Sequence, residues 1–110
     1  MKITRVDVLE QQLRLATPYT IAYETIAAVT NVFVRICTDG PHIGLGAGAP
    51  AAAVTGEQAA DTLRALKDVA APLLKGRDPL FRAQCMEVLK PEISSCPAAL
   101  AAIDMALHDL

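Results

Sequence analysis

The residues of this chain that could do chemistry are few and scattered. His108 follows Asp104 by four positions, a spacing that puts both on one face of a helix, where the carboxylate could orient the imidazole as a base or begin a metal site. One imidazole and one carboxylate are too few to hold a metal, and the pair reads more simply as a solvated face. His42 falls in the turn Asp39-Gly40-Pro41-His42, at the surface. Cys37, Cys85 and Cys96 are odd in number and lack C-x-x-C spacing. They read as reduced thiols of a cytoplasmic protein, packing or capping on a strand, a helix stripe and a helix start, and not as nucleophiles. Glu57, Asp61 and Asp68 read as the exposed side of a helix, with Glu57 in its first turn near the positive end of the dipole. No Ser-His-Asp or Cys-His set is legible. No catalytic residue and no metal ligand is assigned to this chain.

Two uncharged segments carry more information. Pro18-Tyr19-Thr20-Ile21-Ala22-Tyr23-Glu24-Thr25 holds both tyrosines and the only acidic residue between Glu10 and Asp39. Ala49-Pro50-Ala51-Ala52-Ala53-Val54 is small and without charge. Solvated loops are ordinarily polar, so an apolar loop with one carboxylate fits either a lid over a ligand or a docking surface.

These segments must be positioned by regular elements, and the chain changes character near residue 55. Residues 2–15 read as a strand in which Val6 and Val8 share one face while Leu13 and Leu15 fall on the other parity. That switch predicts a bulge or strong twist between Leu9 and Gln12. Residues 30–38 and 43–49 alternate as two further strands and should form a hairpin across the Asp39–His42 turn. Gly44, Gly46 and Gly48 strip one face of the third strand of side chains, which predicts close approach of another backbone. A helix over 56–74 opens with Thr55 as N-cap and Gln58 at N3, is disturbed by Pro72, and stops at Gly76. A second helix, over 79–90, takes Asp78 as cap, Pro79 at N1 and a stripe of Phe81, Cys85 and Val88. A third, over 97–110, opens at Cys96-Pro97 and aligns Leu100, Ile103, Leu107 and Leu110. The fold class is α+β, a three-stranded antiparallel meander followed by a helical bundle.

Composition bounds the rest. The 110 residues carry a formal net charge of -2 and are 53% hydrophobic, which fits one folded domain and excludes disorder. The 10 basic residues form no cluster that could neutralise phosphates, so nucleic acid is excluded as a partner. Gly40 to Gly56, the longest stretch without formal charge, is shorter than the ~20 apolar residues a bilayer needs, and Met1 to Arg5 does not read as a signal peptide. The chain has 20 alanines and only 4% aromatics. Small side chains bury little area each, so part of the apolar surface is expected to face another domain. The last helix lacks a stop signal, so the chain reads as a fragment whose Ile103, Leu107 and Leu110 await a missing partner.

Taken in order, the strand beginning Met1-Lys2-Ile3, Pro18-Tyr19, Val34-Arg35-Ile36, Ile43-Gly44-Leu45-Gly46, Pro50 and Thr55-Gly56-Glu57 resemble the N-terminal capping domain of the enolase superfamily. The nearer likeness is to the muconate-lactonizing subgroup and, within it, the dipeptide epimerases. Pro97-Ala98-Ala99 and Ala102 to Leu110 resemble the helix that leads into that family's barrel. The resemblance implies a cap over a (β/α)-barrel of the same polypeptide, with the acid–base lysines and the Mg²⁺ ligands in the barrel and none of them here. It implies substrate reading by the two apolar segments, with Tyr19, Glu24 and Val54 as contacts to a small dipeptide, and a homo-oligomeric full-length enzyme. Relatives that act on Ala-Glu-type dipeptides often carry Arg where Glu24 stands, so an acidic residue there implies a cationic or neutral substrate side chain. Relatives also often have Glu at the position of Ala47, and no role of that carboxylate carries over. Two rivals remain: another activity on the same scaffold (cycloisomerisation, o-succinylbenzoate synthesis or N-acylamino-acid racemisation), or a non-catalytic interaction module that binds a protein through its alanine-rich face.

Overall fold

The computed structural model describes the backbone of residues 1–21 and 24–110, and the side chains of these outside 13–29 and 53–54. Three strands, β1 (Ile3–Ile21), β2 (Glu24–Thr38) and β3 (Ile43–Gly48), form an antiparallel sheet in the order β1-β2-β3. The alternating β-branched residues of β2 explain its central place: Val32, Val34 and Ile36 are buried on the inner face, and the residues between them face outward. The register runs unbroken from Arg5↔Cys37 to Arg14↔Ala28, so the irregularity expected between Leu9 and Gln12 is absent there. It lies instead between Arg14 and Tyr19. Pro18 falls in that interval, and a proline has no N–H to give a ladder. Beyond it pairing resumes at Tyr19↔Ile26 and continues to Ile21↔Glu24, so most of the segment read as a loop is strand. β2 and β3 pair from Cys37↔Ile43 to Val32↔Gly48 as the expected hairpin.

The helices follow as α1 (Ala52–Thr55), α2 (Ala59–Arg64), a π-type segment (Ala65–Ala70), α3 (Ala71–Leu74), α4 (Arg82–Leu89) and α5 (Pro97–Asp109). Thr55 was expected to open a helix, but it closes α1. Gly56 after it has φ 79°, a left-handed conformation that breaks the helical path, and α2 starts three residues later. There the Gln58 N–H donates to the Asp61 carboxylate at 3.0 Å, so the capping role passes one frame downstream. The π segment ends two residues before Pro72, and the Ala71 N–H reaches back five residues to the Leu66 carbonyl. Widening that turn accommodates a proline that can neither donate nor fit a tight α ladder. Gly76, at φ 88°, ends the run as its sequence position suggests, and its N–H donates to the Ile3 carbonyl at 2.8 Å. Asp78 caps a turn and not α4, accepting from the Leu80 N–H at 3.0 Å. Phe81 therefore precedes the helix and is 59% exposed, so the buried face of α4 is Cys85 and Leu89.

α5 lies on the inner face of β3. Four residues of helix rise about 6 Å and two residues of strand about 6.6 Å, so Ala98, Ala102 and Ala106 come into step with Gly48, Gly46 and Gly44. The space where each glycine's side chain would stand is filled by the backbone carbonyl of the matching alanine. This is the close backbone approach that the alternating glycines predict. The Asp109 carboxylate then accepts the Leu45 N–H at 2.9 Å, occupying a donor on the edge strand. Ile103 and Leu107 are buried by the sheet and the other helices, and Leu110 is half-buried. The expectation that this stripe is exposed is thus wrong, because the domain covers it itself. The exposed apolar side chains are elsewhere, with Leu9, Phe33 and Leu45 on the outer sheet face and Leu80, Phe81 and Met105 on the helical side. On the outer face Asp7 receives Arg35 at 2.7 Å and Arg5 at 2.8 Å, and the hydrogen bond from Arg35 leads in holding its carboxyl below the usual range.

The glycine face gives a direct test. Gly46→Ala places a methyl group against the Ala102 carbonyl and 2.9 Å from the Ala106 nitrogen. It should lower unfolding free energy by roughly 3 kcal/mol. Gly40→Ala meets nothing closer than Thr38 Oγ1 at 3.9 Å and should change stability by less than about 1 kcal/mol. Urea midpoints of the two variants against the parent protein check this.

Candidate functional site

The most unusual side chain lies where β3 hands over to the helices. Glu57 is 2% exposed, not on the solvent side of a helix as its place in the sequence suggests. Its Oε1 accepts the Ala98 N–H at 2.8 Å and its Oε2 accepts the Thr62 hydroxyl at 2.5 Å. Pro97 has no N–H, so Ala98 offers the first free amide of α5, and a carboxylate there is favoured by the helix dipole. Thr62 is itself buried, and its Oγ1 also lies 3.2 Å from the Gln58 carbonyl. A buried carboxylate is tolerated when its oxygens are satisfied by donors of this kind. Helix periodicity missed this residue, because the helix begins two residues after it and its backbone partner lies 41 residues downstream. The signal in the sequence is the pair Gly56-Glu57 with Thr62 and a distant Cys96-Pro97 helix start.

Glu57 closes a short excursion of the chain. Ala49 to Gly56 leaves the end of β3 and returns through α1, where the Thr55 N–H donates to the Ala51 carbonyl at 2.9 Å and the Gly56 N–H to the Ala52 carbonyl at 3.0 Å. Ala49, Ala51, Ala52 and Thr55 are exposed. Val54, expected in a loop, lies in this one-turn helix. Tyr19 and Glu24 lie near the end of the β1–β2 hairpin, at positions of equal parity in the ladder, Tyr19 opposite Ile26 and Glu24 opposite Ile21. The side chains of Tyr19, Glu24 and Val54 are outside the described residues, as is all of Tyr23.

The remaining groups do little chemistry. Cys85 and Cys96 are buried, and desolvation pushes both thiols up, away from the thiolate. Cys96 stands at the N-cap position of α5 and is packed in the core, with no capping bond from its side chain, and its Sγ lies 3.8 Å from the Asp61 carbonyl. His108 Nδ1 sits 2.8 Å from the Asp104 carbonyl and 3.4 Å from its carboxylate, on an exposed face bordering a groove with Phe81 and Met86. Among the described residues no group of three His, Cys, Asp or Glu stands close enough to hold a metal. No helix among the described residues is long and apolar enough to cross a membrane.

A three-stranded meander with its helices packed on the inner face is the architecture of an enolase-type capping domain. Residues 3–110 match the family described as "Mandelate racemase / muconate lactonizing enzyme, N-terminal domain", and the chain belongs to it. Among curated relatives it is 48% identical over its full length to an L-Lys-D/L-Arg epimerase of Desulforapulum autotrophicum, of which it covers 31%. It is 38% identical to the enzyme of the same name from Methylococcus capsulatus, again covering 31% of that protein. Among solved structures, a dipeptide epimerase from Enterococcus faecalis complexed with Mg and the dipeptide L-Leu-L-Tyr superposes with a TM-score of 0.92 at 33% identity, over 98% of this chain and 30% of that one. The chain thus spans about 31% of the length of the curated relatives it matches.

The Glu57 pair can be tested through its hydroxyl partner. Thr62→Val removes a donor to a buried charge and should cost about 2 kcal/mol, whereas Thr62→Ser keeps the hydroxyl and should cost less. Denaturant midpoints of the two variants decide this.

Proposed function

We propose that this chain is the substrate-reading cap of a dipeptide epimerase that acts on cationic dipeptides. The observation that carries this reading is full-length similarity, at 48% and 38% identity, to two proteins named L-Lys-D/L-Arg epimerase. Glu24 supports it from the chemistry of the residue. A single carboxylate in an otherwise uncharged segment attracts an ammonium or guanidinium and repels another carboxylate. The solved complex of the Methylococcus capsulatus dipeptide epimerase contains Mg and L-Arg-D-Lys, and its fold matches this one at a TM-score of 0.92. In this reading the reaction removes the proton from a dipeptide α-carbon and returns it on the opposite face through an enediolate. The groups that move the proton and hold Mg²⁺ belong to a barrel domain of the same polypeptide, outside these residues. Tyr19, Glu24 and Val54 contact the substrate, and the cap contributes selectivity and closure.

A second reading has one specific support, 33% identity over the full chain to an N-succinyl-L-Arg/Lys racemase of Bacillus cereus. It shares the cationic side chain and differs in what occupies the substrate's amine. Turnover of L-Lys-L-Arg against N-succinyl-L-arginine by the full-length protein separates the two.

Glu24→Arg in the full-length enzyme should lower kcat/KM for dipeptides with a basic second residue and raise it for acidic ones. A charge-assisted contact contributes about 1.5–3 kcal/mol, which is about 10- to 150-fold in preference. The measurement compares Ala-Lys, Ala-Leu and Ala-Glu dipeptides in both variants. An unchanged ranking of the three rejects Glu24 as a specificity residue.

A further inference from the structure

The excursion Ala49–Gly56 has both of its stems on one residue. At its start, Gly48 lies against Ala98, whose carbonyl oxygen would be 2.6 Å from a Cβ built on that glycine. At its end, Glu57 Oε1 takes the N–H of the same Ala98 at 2.8 Å. The carbonyl and the amide of a single residue in the first turn of α5 therefore fix where the excursion leaves the sheet and where it rejoins the helices. Between the stems, the hydrogen bonds of the described residues stay within the segment or reach only the residue after it: Thr55 N–H and Oγ1 to the Ala51 carbonyl, Gly56 N–H to the Ala52 carbonyl, and the Glu57 N–H to Thr55 Oγ1 at 3.4 Å. The excursion is otherwise small, uncharged and largely exposed, so its own side chains supply little to hold it in place.

We infer that Glu57 is a positioning residue: by gripping the Ala98 amide it sets the placement of Ala49–Gly56, and with it Val54, over the substrate. It touches no substrate itself. This rests on the reading of that segment as a specificity element. The α5 end of the grip is rigid, because α5 is seated on the glycine face and cannot shift without its carbonyls meeting β3. The excursion end is held at Glu57 by two hydrogen bonds, one to the amide of α5 and one to the hydroxyl of Thr62 on α2. Without the carboxylate, α1 keeps its internal hydrogen bonds but loses its registration on α5.

The test uses the full-length protein and two variants, Glu57→Ala and Glu57→Gln. Amide exchange is followed at Thr55 and Gly56, with the amides of β2 and β3 as the internal reference. Glu57→Ala should speed exchange at Thr55 and Gly56 at least about tenfold while the sheet amides stay within about threefold, since local opening is separable from global unfolding. Glu57→Gln keeps a carbonyl oxygen for the Ala98 N–H and should restore most of the protection. Selectivity is then measured as the ratio of kcat/KM for Ala-Lys to that for Ala-Leu. In Glu57→Ala this ratio should change by at least about fivefold, through KM more than kcat, as expected when substrate binding and not the chemical step is disturbed. If Glu57→Ala does not fold, Glu57→Met, which keeps the length of the side chain but offers the Ala98 N–H no oxygen, takes its place and should show the same changes in exchange and selectivity, whereas Thr62→Val leaves the Ala98 contact intact and should leave the selectivity ratio within about twofold of the parent. Unchanged exchange at Thr55 and Gly56, or an equal rise throughout the sheet, overturns the grip whatever the substrate is. Locally faster exchange with an unchanged selectivity ratio overturns the positioning role. Absence of dipeptide turnover in the parent protein rejects the proposed function instead, and exchange then decides the grip alone.

Discussion

The contact on which the structure depends is backbone against backbone. α5 reaches β3 closely only because Gly44, Gly46 and Gly48 present no side chains, and the carbonyls of Ala106, Ala102 and Ala98 take that space. Close approach gathers many weak dispersion contacts, and carbonyl oxygens facing glycine Cα–H groups add weak polar attraction. It also explains the composition. An interior built on alanine supplies little area per side chain, and the domain compensates by bringing whole main chains together. Ala99, Ala102 and Ala106 are fully buried beside Ile103 and Leu107.

Seating α5 in this way fixes the positions of its two ends. The C-terminal end brings Asp109 to the Leu45 amide on the sheet edge. The N-terminal end presents the Ala98 amide to Glu57, and burying that carboxylate is acceptable because each oxygen receives a donor. No buried side-chain nitrogen or oxygen among the described residues lacks a partner. The corner between sheet and helices is therefore set by a few directed bonds and a steric constraint beside the apolar core that joins the two layers.

Much of the fold was legible because its signals are local. The glycine alternation, the Asp39–His42 turn and Gly76 are each written within a few residues of sequence, and the structure uses each as its physics suggests. What stayed hidden depends on distant partners or on a choice between adjacent frames. Thr55 and Gln58 both look like caps, and only the left-handed Gly56 decides between them. Asp78 could cap α4 or a turn, and taking the turn leaves Phe81 outside. Pro18 moves the register break past the place where the hydrophobic parity alone puts it. Glu57 reads as a helix-start acid, and nothing near it in sequence announces a partner at residue 98. Tyr19, Glu24 and Val54 stand out in the sequence only as members of two apolar segments and through the family resemblance. The backbone puts the first two on one hairpin and the third in α1, and their contacts rest on the proposal.

The doubled anchorage on Ala98 has a consequence for how such a domain diversifies. A segment whose ends meet on one residue can change length without asking either end to move, and loop closure grows only as the logarithm of length, about 0.6 kcal/mol per doubling. Insertions, deletions and composition changes between Ala49 and Gly56 are thereby insulated from the sheet and from α5. Natural variation can rewrite what that stretch presents while Gly48, Glu57 and the start of α5 hold the frame constant, much as a socket accepts different inserts.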